Sequence, residues 1–342
     1  MTYITSATER TTGPGNSNET RALFYLMGQD EDRDEIAYFI VDVFNDLAGS
    51  DTNAARLWDV QSKNARSSPK MIGEELVTLF KNYMSDFRPY IMRRLLFLGS
   101  VTNTVRNDES LTHFRYSDLK ESAQKTVKQS LEDEALRKTY VDNDWITESN
   151  ISAFLATVEF VVADRTNASY VKPIIGCAAK EIVTDQKLEA IFNEVRKAQS
   201  DKKNILSEGV EMNRPYEAFV LGKHISKKNI EQLTLARLIN RDPIAVGVPV
   251  SFLPVYQGYP ADAAEEMLED CQNAVALQLF DKNAKDAFWA LFDCVVEIVI
   301  DDKTLSVTEI FERIDSELIA SCVHLDPLAT QFFIAQIKDG LK

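Results

Sequence analysis

Three side chains in the first fifth of the chain, Asp46, Gln61 and Lys63, have the types and spacing that phosphodiester hydrolysis requires. A carboxylate such as Asp46 can hold a divalent cation, which polarises a phosphate and lowers the pKa of an attacking water. Mg2+ takes oxygen ligands, so the Gln61 carbonyl can stand in its shell where a second carboxylate would otherwise be. An ammonium such as that of Lys63 stabilises negative charge as it develops, or orients the water. Gln-x-Lys is a common tripeptide, however. On a half-exposed strand, Asp59, Gln61 and Lys63 equally make a plain solvated face.

The elements around these residues decide how much the pattern is worth. Residues 19–29 (ETRALFYLMGQ) predict a helix, with Ala22, Leu23, Leu26 and Met27 on one face. The acidic run QDEDRDE at 29–35 reads as a solvated loop. Then the period changes. IAYFIVDVF (36–44) is rich in β-branched and aromatic residues and predicts a buried strand, with residues 45–50 as its end and a turn. RLWDVQSKN (56–64) alternates strictly: Trp58, Val60 and Ser62 share one face, and Asp59, Gln61 and Lys63 the other. An amphipathic helix is expected over 71–87 and a third strand over 92–103. Asp46 falls at or just past the end of the first strand, so the three side chains surround one point if the strands pair as neighbours.

Beyond about residue 116 the pattern is mostly helical, including the charged stretch 117–140, the apolar stretch 150–164 and the long amphipathic run 179–203. PVSFLPVYQG (249–258) suits an edge strand or extended loop because of its two prolines. Ser306 and Glu309 form a capping box at the start of a helix near the end of the chain. The division expected is a flexible arm over 1–17, an α/β domain with a central sheet over 18–116, and a helical region over 117–342.

Composition narrows the function classes. The 342 residues carry 38 Lys and Arg against 53 Asp and Glu, a net charge of −15. That total argues against a general nucleic-acid coat, but the charge is uneven. Residues 56–106 hold nine basic and four acidic side chains, a local balance of +5, whereas 117–342 hold 25 and 37, a balance of −12. A phosphate backbone is expected to dock on the first segment, with Arg56, Arg66 and Lys70 as its contacts. The acidic helices suit protein partners. No apolar run reaches the roughly 18–20 residues that span a bilayer, and the first 20 residues lack the form of a secretory signal. The four cysteines are dispersed, without a CxxC pair, and read as free thiols of a cytoplasmic protein. Of the three histidines, His113 and His324 suit structural roles and His224 a solvated helix start beside Lys223, Lys227 and Lys228. No GxSxG and no phosphate-binding GxxxxGK[ST] is present.

Asp46 followed by Gln61-x-Lys63 at strand–turn–strand spacing resembles the signature of the PD-(D/E)XK nucleases. The wider pattern is similar to the double-stranded-DNA endonuclease domain of bacterial antiphage systems. Such domains occur in the CBASS nuclease effector, the Lamassu nuclease subunit and the nuclease partners of HerA-type ATPases. The resemblance runs from Gly15 through Phe24-Tyr25 and Asp46 to Trp58, Gln61 and Lys63, and closes on Thr102-Asn103; it covers about the first 105 residues. It implies a restriction-endonuclease-like α/β domain followed by a mostly α-helical C-terminal region. It also implies catalytic Asp46, Gln61 and Lys63, with Mg2+ or Mn2+ held by Asp46 and Gln61. Glu19, on the first helix, would add a ligand, or is simply a carboxylate favoured by the helix dipole. The Arg-Gly-containing start of the family is reduced here to Gly-Pro-Gly, and Asn45-Asp46 stands where an acidic pair is usual. The implied activity is that of a double-stranded-DNA endonuclease, a homo-oligomer when active, restrained by an SMC-like (Lamassu-type) or HerA-like ATPase subunit. The alternative is a non-catalytic assembly subunit on a degenerate nuclease fold.

Overall fold

In the computed structural model the residues described are 3–5, 17–244 and 247–341. The chain divides into two compact units, one of residues 1–170 with 192–227 and one of 171–191 with 228–342.

The first unit is built on a mixed seven-stranded sheet. Its elements are β1 (Tyr3–Ile4), α1 (Ser17–Gly28), β2 (Tyr38–Val41), β3 (Leu47–Ser50), β4 (Leu57–Ser67), α2 (Pro69–Glu75), α3 (Val77–Met84), β5 (Ile91–Val101), β6 (His113–Arg115), α4 (Glu121–Arg137), α5 (Glu148–Leu155), β7 (Val158–Val162), α6 (Asn167–Val171), α7 (Asp185–Lys203), β8 (Glu211–Met212) and β9 (His224–Ser226). The strand order is β6-β7-β5-β4-β3-β2-β9, and β1 pairs separately with β8. From β9 to β4 the pairing is antiparallel; β4, β5 and β7 run parallel.

Several expectations need correction. Leu47–Ser50, read as a turn, is a strand between β2 and β4. The strand expected over 36–44 ends at Val41, because Asp42 takes a left-handed φ of 54°. The helix expected over 71–87 is two helices that meet at Leu76. The apolar stretch 150–164 is a helix followed by a fully buried strand, β7, which sits between β5 and the edge strand β6. The sheet therefore draws β7 and β9 from beyond residue 116. The acidic loop is not merely solvated either. Asp30 is buried on Arg93 at 2.7 Å, and Asp32 accepts a 2.8 Å hydrogen bond from the Trp58 indole. In the expected arm, residues 6–16 lie outside the described ones, while the Tyr3 hydroxyl donates to the Phe44 carbonyl at 3.0 Å.

The sheet has helices on both faces. Asn18 of α1 donates to Ser62 Oγ at 3.3 Å and to the Phe97 carbonyl at 3.0 Å, so α1 covers the face carrying Ser62 and Phe97. On the other face Leu96, Leu98, Val158 and Phe160 pack with Ile72, Leu79, Phe80, Leu131 and Phe154 of α2–α5. The contact of α2 with α4 is so close that a Cβ on Gly73 would lie 2.3 Å from the Val127 carbonyl oxygen, which only glycine permits.

The second unit is helical: the first turns of α7, up to residue 191, then α8 (Lys227–Leu238), α9 (Leu253–Tyr256), α10 (Ala261–Phe280), α11 (Lys285–Asp301), α12 (Val307–Arg313), α13 (Ser316–Ser321) and α14 (Pro327–Gly340). Residues 249–258, read as an edge strand or loop, are helical turns. α14 is buried nearly all round, with Phe332, Phe333, Ile334 and Ile337 inaccessible, as expected of a central helix. The capping box is present: Ser306 Oγ accepts from the Glu309 N–H at 3.2 Å and Glu309 Oε2 from the Ser306 N–H at 2.7 Å. All four cysteines are free. No helix among the described residues is long and apolar enough to cross a membrane.

Candidate functional site

β4 carries both Gln61 and Lys63, and its pleat sends them to the α2–α3 face. There the Lys63 ammonium pairs with Glu75 Oε1 at 2.5 Å. The Gln61 amide donates to Glu75 Oε2 at 3.4 Å, and its carbonyl accepts from Thr78 Oγ1 at 3.3 Å. Gln61 and Lys63 are thus brought together, with a carboxylate that the sequence did not single out.

Asp46 goes elsewhere. Register puts Leu47 opposite Val60, so continued alternation would place Asp46 on the Gln61 face. The pleat stops at Leu47, however, and Asp46 belongs to the irregular turn that opens at Asp42. Its Oδ2 accepts the Ser62 backbone N–H at 2.8 Å, and the charges acting on it are those of Glu19, Lys203 and Asp42. Burial, with the Glu19 carboxylate adding to it, pushes Asp46 up to about 7, against the pull of Lys203 and the Ser62 N–H. Glu19, buried in the first turn of α1, lies 3.1 Å from the Lys203 ammonium. Burial raises its pKa too, and Lys203 opposes this. Burial works against the charge on Lys203, yet Glu19, Asp46 and Asp42 together hold its pKa above the ordinary value. Asp42 in turn lies 3.1 Å from the buried Lys223.

The structure therefore separates the expected trio into two groups. One is Gln61, Lys63, Glu75 and Thr78 under α2 and α3. The other is Glu19, Asp46, Asp42 and Lys203 on the α1 side. The sequence reading missed Lys203, and nothing local to residue 203 marks it: one lysine in a Lys-Lys pair closing an amphipathic helix reads as solvated.

Between the groups and the turn sits Asp59, which is not solvent-facing as the alternation allowed but inaccessible. It accepts from Asn45 Nδ2 at 2.7 Å and Asn82 Nδ2 at 2.8 Å, and ties the turn that carries Asp46 to α3. Burial raises its pKa to about 6 against those two bonds.

The three basic residues expected on a phosphate backbone do not form one patch. Arg56 lies just before β4, pairs with Glu35 and stacks over Trp58 at 5.6 Å. Arg66 lies at the other end of β4, donating to Asn103 Oδ1 at 3.2 Å. Lys70 is exposed and lies 3.7 Å from Glu74. At about 3.3 Å per residue, the ends of β4 stand roughly 30 Å apart. His113 bonds Glu159 at 2.8 Å, His324 bonds Asp281 at 2.8 Å, and His224 packs edge-on against Tyr38 and Phe219. All three serve structure.

Among the described residues no group of three or more His, Cys, Asp and Glu side chains is placed to hold a metal ion. Mg2+ asks for less than that: one or two carboxylates, waters and substrate phosphates complete its shell. Glu19 and Asp46 fit that demand, because their mutual repulsion is what a bound cation relieves. Gln61 does not, since Thr78 and Glu75 engage its amide on the other face. No family model, curated protein or solved structure matches the chain.

Proposed function

We propose that this chain is a Mg2+- or Mn2+-dependent double-stranded-DNA endonuclease whose reacting groups are Glu19, Asp46 and Lys203. The observation that carries the reading is the convergence of two carboxylates and a lysine drawn from α1, the β2–β3 turn and α7, Glu19 buried and Asp46 and Lys203 half-buried. Glu19 and Asp46 would hold the ion, and when bound it polarises the phosphate and acidifies a water. Lys203 keeps its charge in a site of low dielectric, where it stabilises negative charge on a phosphoryl oxygen more than it would in water. Lys63 is paired with Glu75 on the α2–α3 face, away from the charges that act on Asp46, and supports β4.

The remainder of the reading rests on the resemblance and on charge. The protein acts in the cytoplasm as the effector of an antiphage defence complex. It is restrained by an SMC-like ATPase of Lamassu type, or by a HerA-like one, and cuts when oligomerised. A competing reading, a non-catalytic assembly subunit, is favoured by Asn45 in place of a carboxylate and by the diversion of Gln61 and Lys63 to Glu75.

Plasmid cleavage with Mg2+ or Mn2+, in the presence of the activated partner ATPase, separates the two. Asp46→Ala and Lys203→Ala are expected to lose at least about a hundredfold in rate, the scale of removing one transition-state charge contact. Lys63→Ala should lose far less. Equal cleavage, or equal silence, from wild type and all three variants sinks the enzyme reading. Loss confined to Lys63→Ala returns the site to the other face.

A further inference from the structure

The first unit holds a cavity of about 380 Å3 at the C-terminal end of α3, walled by Tyr3, Phe87, Tyr140 and Trp145. Its volume falls within the range of small-molecule pockets, roughly 300–1,000 Å3. Two of the walls are held by packing. Phe87 is buried and stacks on Tyr3 at 5.1 Å and 12°. The Tyr3 hydroxyl is spent on the Phe44 carbonyl at 3.0 Å, so Tyr3 and Phe87 form the closed floor of the cavity, while Tyr140 is the exposed wall. One cation stands in this aromatic lining. The half-buried Lys81 ammonium lies 4.6 Å over the Tyr3 ring and 5.6 Å over the Tyr140 ring. Among the described residues it makes no ion pair, and the carboxylate acting on it is the inaccessible Asp59 beneath. The other charge on the lining, Asp86, is exposed at the rim, where solvent screens it.

We propose that this cavity binds a small molecule with a flat aromatic ring and one anionic group, the ring lying against the accessible Tyr140 and Trp145 and the anion on Lys81. Aromatic walls give stacking that is insensitive to the identity of the ring. A half-buried ammonium without an ion-pair partner supplies a charge-assisted hydrogen bond, which is about twice as strong as a neutral one. The same burial pushes the Lys81 pKa down, and an anionic ligand offsets that cost. A neutral aromatic ligand leaves the ammonium unpaired, and a cationic one is repelled by it. The proposal is independent of the hydrolytic one: none of the four walls, nor Lys81, belongs to the Glu19–Asp46–Lys203 group.

The test uses the full-length protein and three probes of one shape: 2-naphthoate, 2-naphthalenemethanol and 2-naphthylmethylammonium. Their dissociation constants are read by calorimetric titration. The expected order is naphthoate tightest by about tenfold over the alcohol, the worth of one charge-assisted contact, with the ammonium weakest. In Lys81→Met the tenfold advantage disappears while the alcohol binds within about twofold of wild type; Tyr140→Ala weakens naphthoate and alcohol alike. Lys81→Gln serves as a second variant, because it keeps a polar tip should methionine disturb the packing. The proposal is overturned if no probe binds saturably, if naphthoate and alcohol bind equally, or if the folded Lys81 variants keep the advantage.

Discussion

Asp46 is the residue on which chemistry and stability meet. Its pKa stands at about 7 against an ordinary 3.8, chiefly through burial. An acid with a raised folded pKa binds its proton more tightly in the folded state, so its ionised form opposes folding. The sign follows: wild-type stability attributable to Asp46 is highest below about pH 4, falls as pH climbs towards about 7, and is level above that. Asp46→Asn removes the ionisation and keeps an acceptor for the Ser62 N–H. In thermal unfolding without divalent cation, the variant should match wild type at pH 4 and exceed it by about 1–3 kcal/mol at pH 8. A difference that stays flat with pH would place the origin outside this carboxylate. Adding Mg2+ at pH 8 should raise the wild-type midpoint and leave the variant's unchanged, since ligand that binds only the folded state stabilises it. At this scale the sequence was half legible. The types and spacing of Asp46, Gln61 and Lys63 were visible, and Gln61 and Lys63 do share a face. The diversion of Asp46 was not visible, because it depends on a left-handed Asp42 and on a lysine that lies 157 positions away in the chain.

Elements positioned by local periodicity were the legible ones. α1, β4 and β5 fall within a few residues of their expected limits, because the pattern that defines each lies within it; the helix capped at Ser306 starts where expected but ends at Arg313, and the rest of its expected span is a second helix, α13. β3 was not legible. Leu-Ala-Gly-Ser has little strand propensity, and the segment is extended because β2 and β4 pair with both its sides. β7 was hidden for a different reason. Phe154 and Leu155 end a helix, and Val158 opens a fully buried strand, so one apolar run contains both and periodicity cannot divide it. α2 gives the sharpest element-scale test. Intrinsic propensity favours alanine over glycine inside a helix by roughly 0.5–1 kcal/mol. At Gly73 a methyl group would meet the Val127 carbonyl oxygen at 2.3 Å and Ser130 Cβ at 2.8 Å, both on α4. Overpacking of this kind costs about 1–3 kcal/mol, so packing wins and Gly73→Ala is destabilising. The urea midpoint should fall; a rise would mean that α2 and α4 separate easily and that the helix layer under Gln61 and Lys63 is loosely held.

For the molecule as a whole, charge is the quantity that would decide how it meets DNA. A net charge of −15 repels a phosphate backbone at long range, so any binding depends on local clusters and is sensitive to salt. The +5 balance over residues 56–106 suggested one such cluster, but the fold distributes it. Arg93 is spent on Asp30 and Glu159, Arg56 on Glu35 and Lys63 on Glu75. Arg66 faces a neutral Asn103, and Lys70 has only an exposed contact at 3.7 Å with Glu74, so these two are the cations of the expected set still available to phosphate. If the protein grips duplex DNA at the Ser67 end of β4, those two carry the grip and Arg56 does not. Each neutralised phosphate contributes about 0.9 to the slope of log K against log salt on duplex DNA. Arg66→Ala with Lys70→Ala should therefore flatten that slope by about 2 for a double-stranded oligonucleotide, and weaken binding evenly across sequences. Arg56→Ala should leave the slope unchanged, because its guanidinium is already committed to Glu35 and to the Trp58 ring. A slope lowered by Arg56→Ala and untouched by the double variant would move the DNA to the opposite end of β4, away from the Lys70 end of α2.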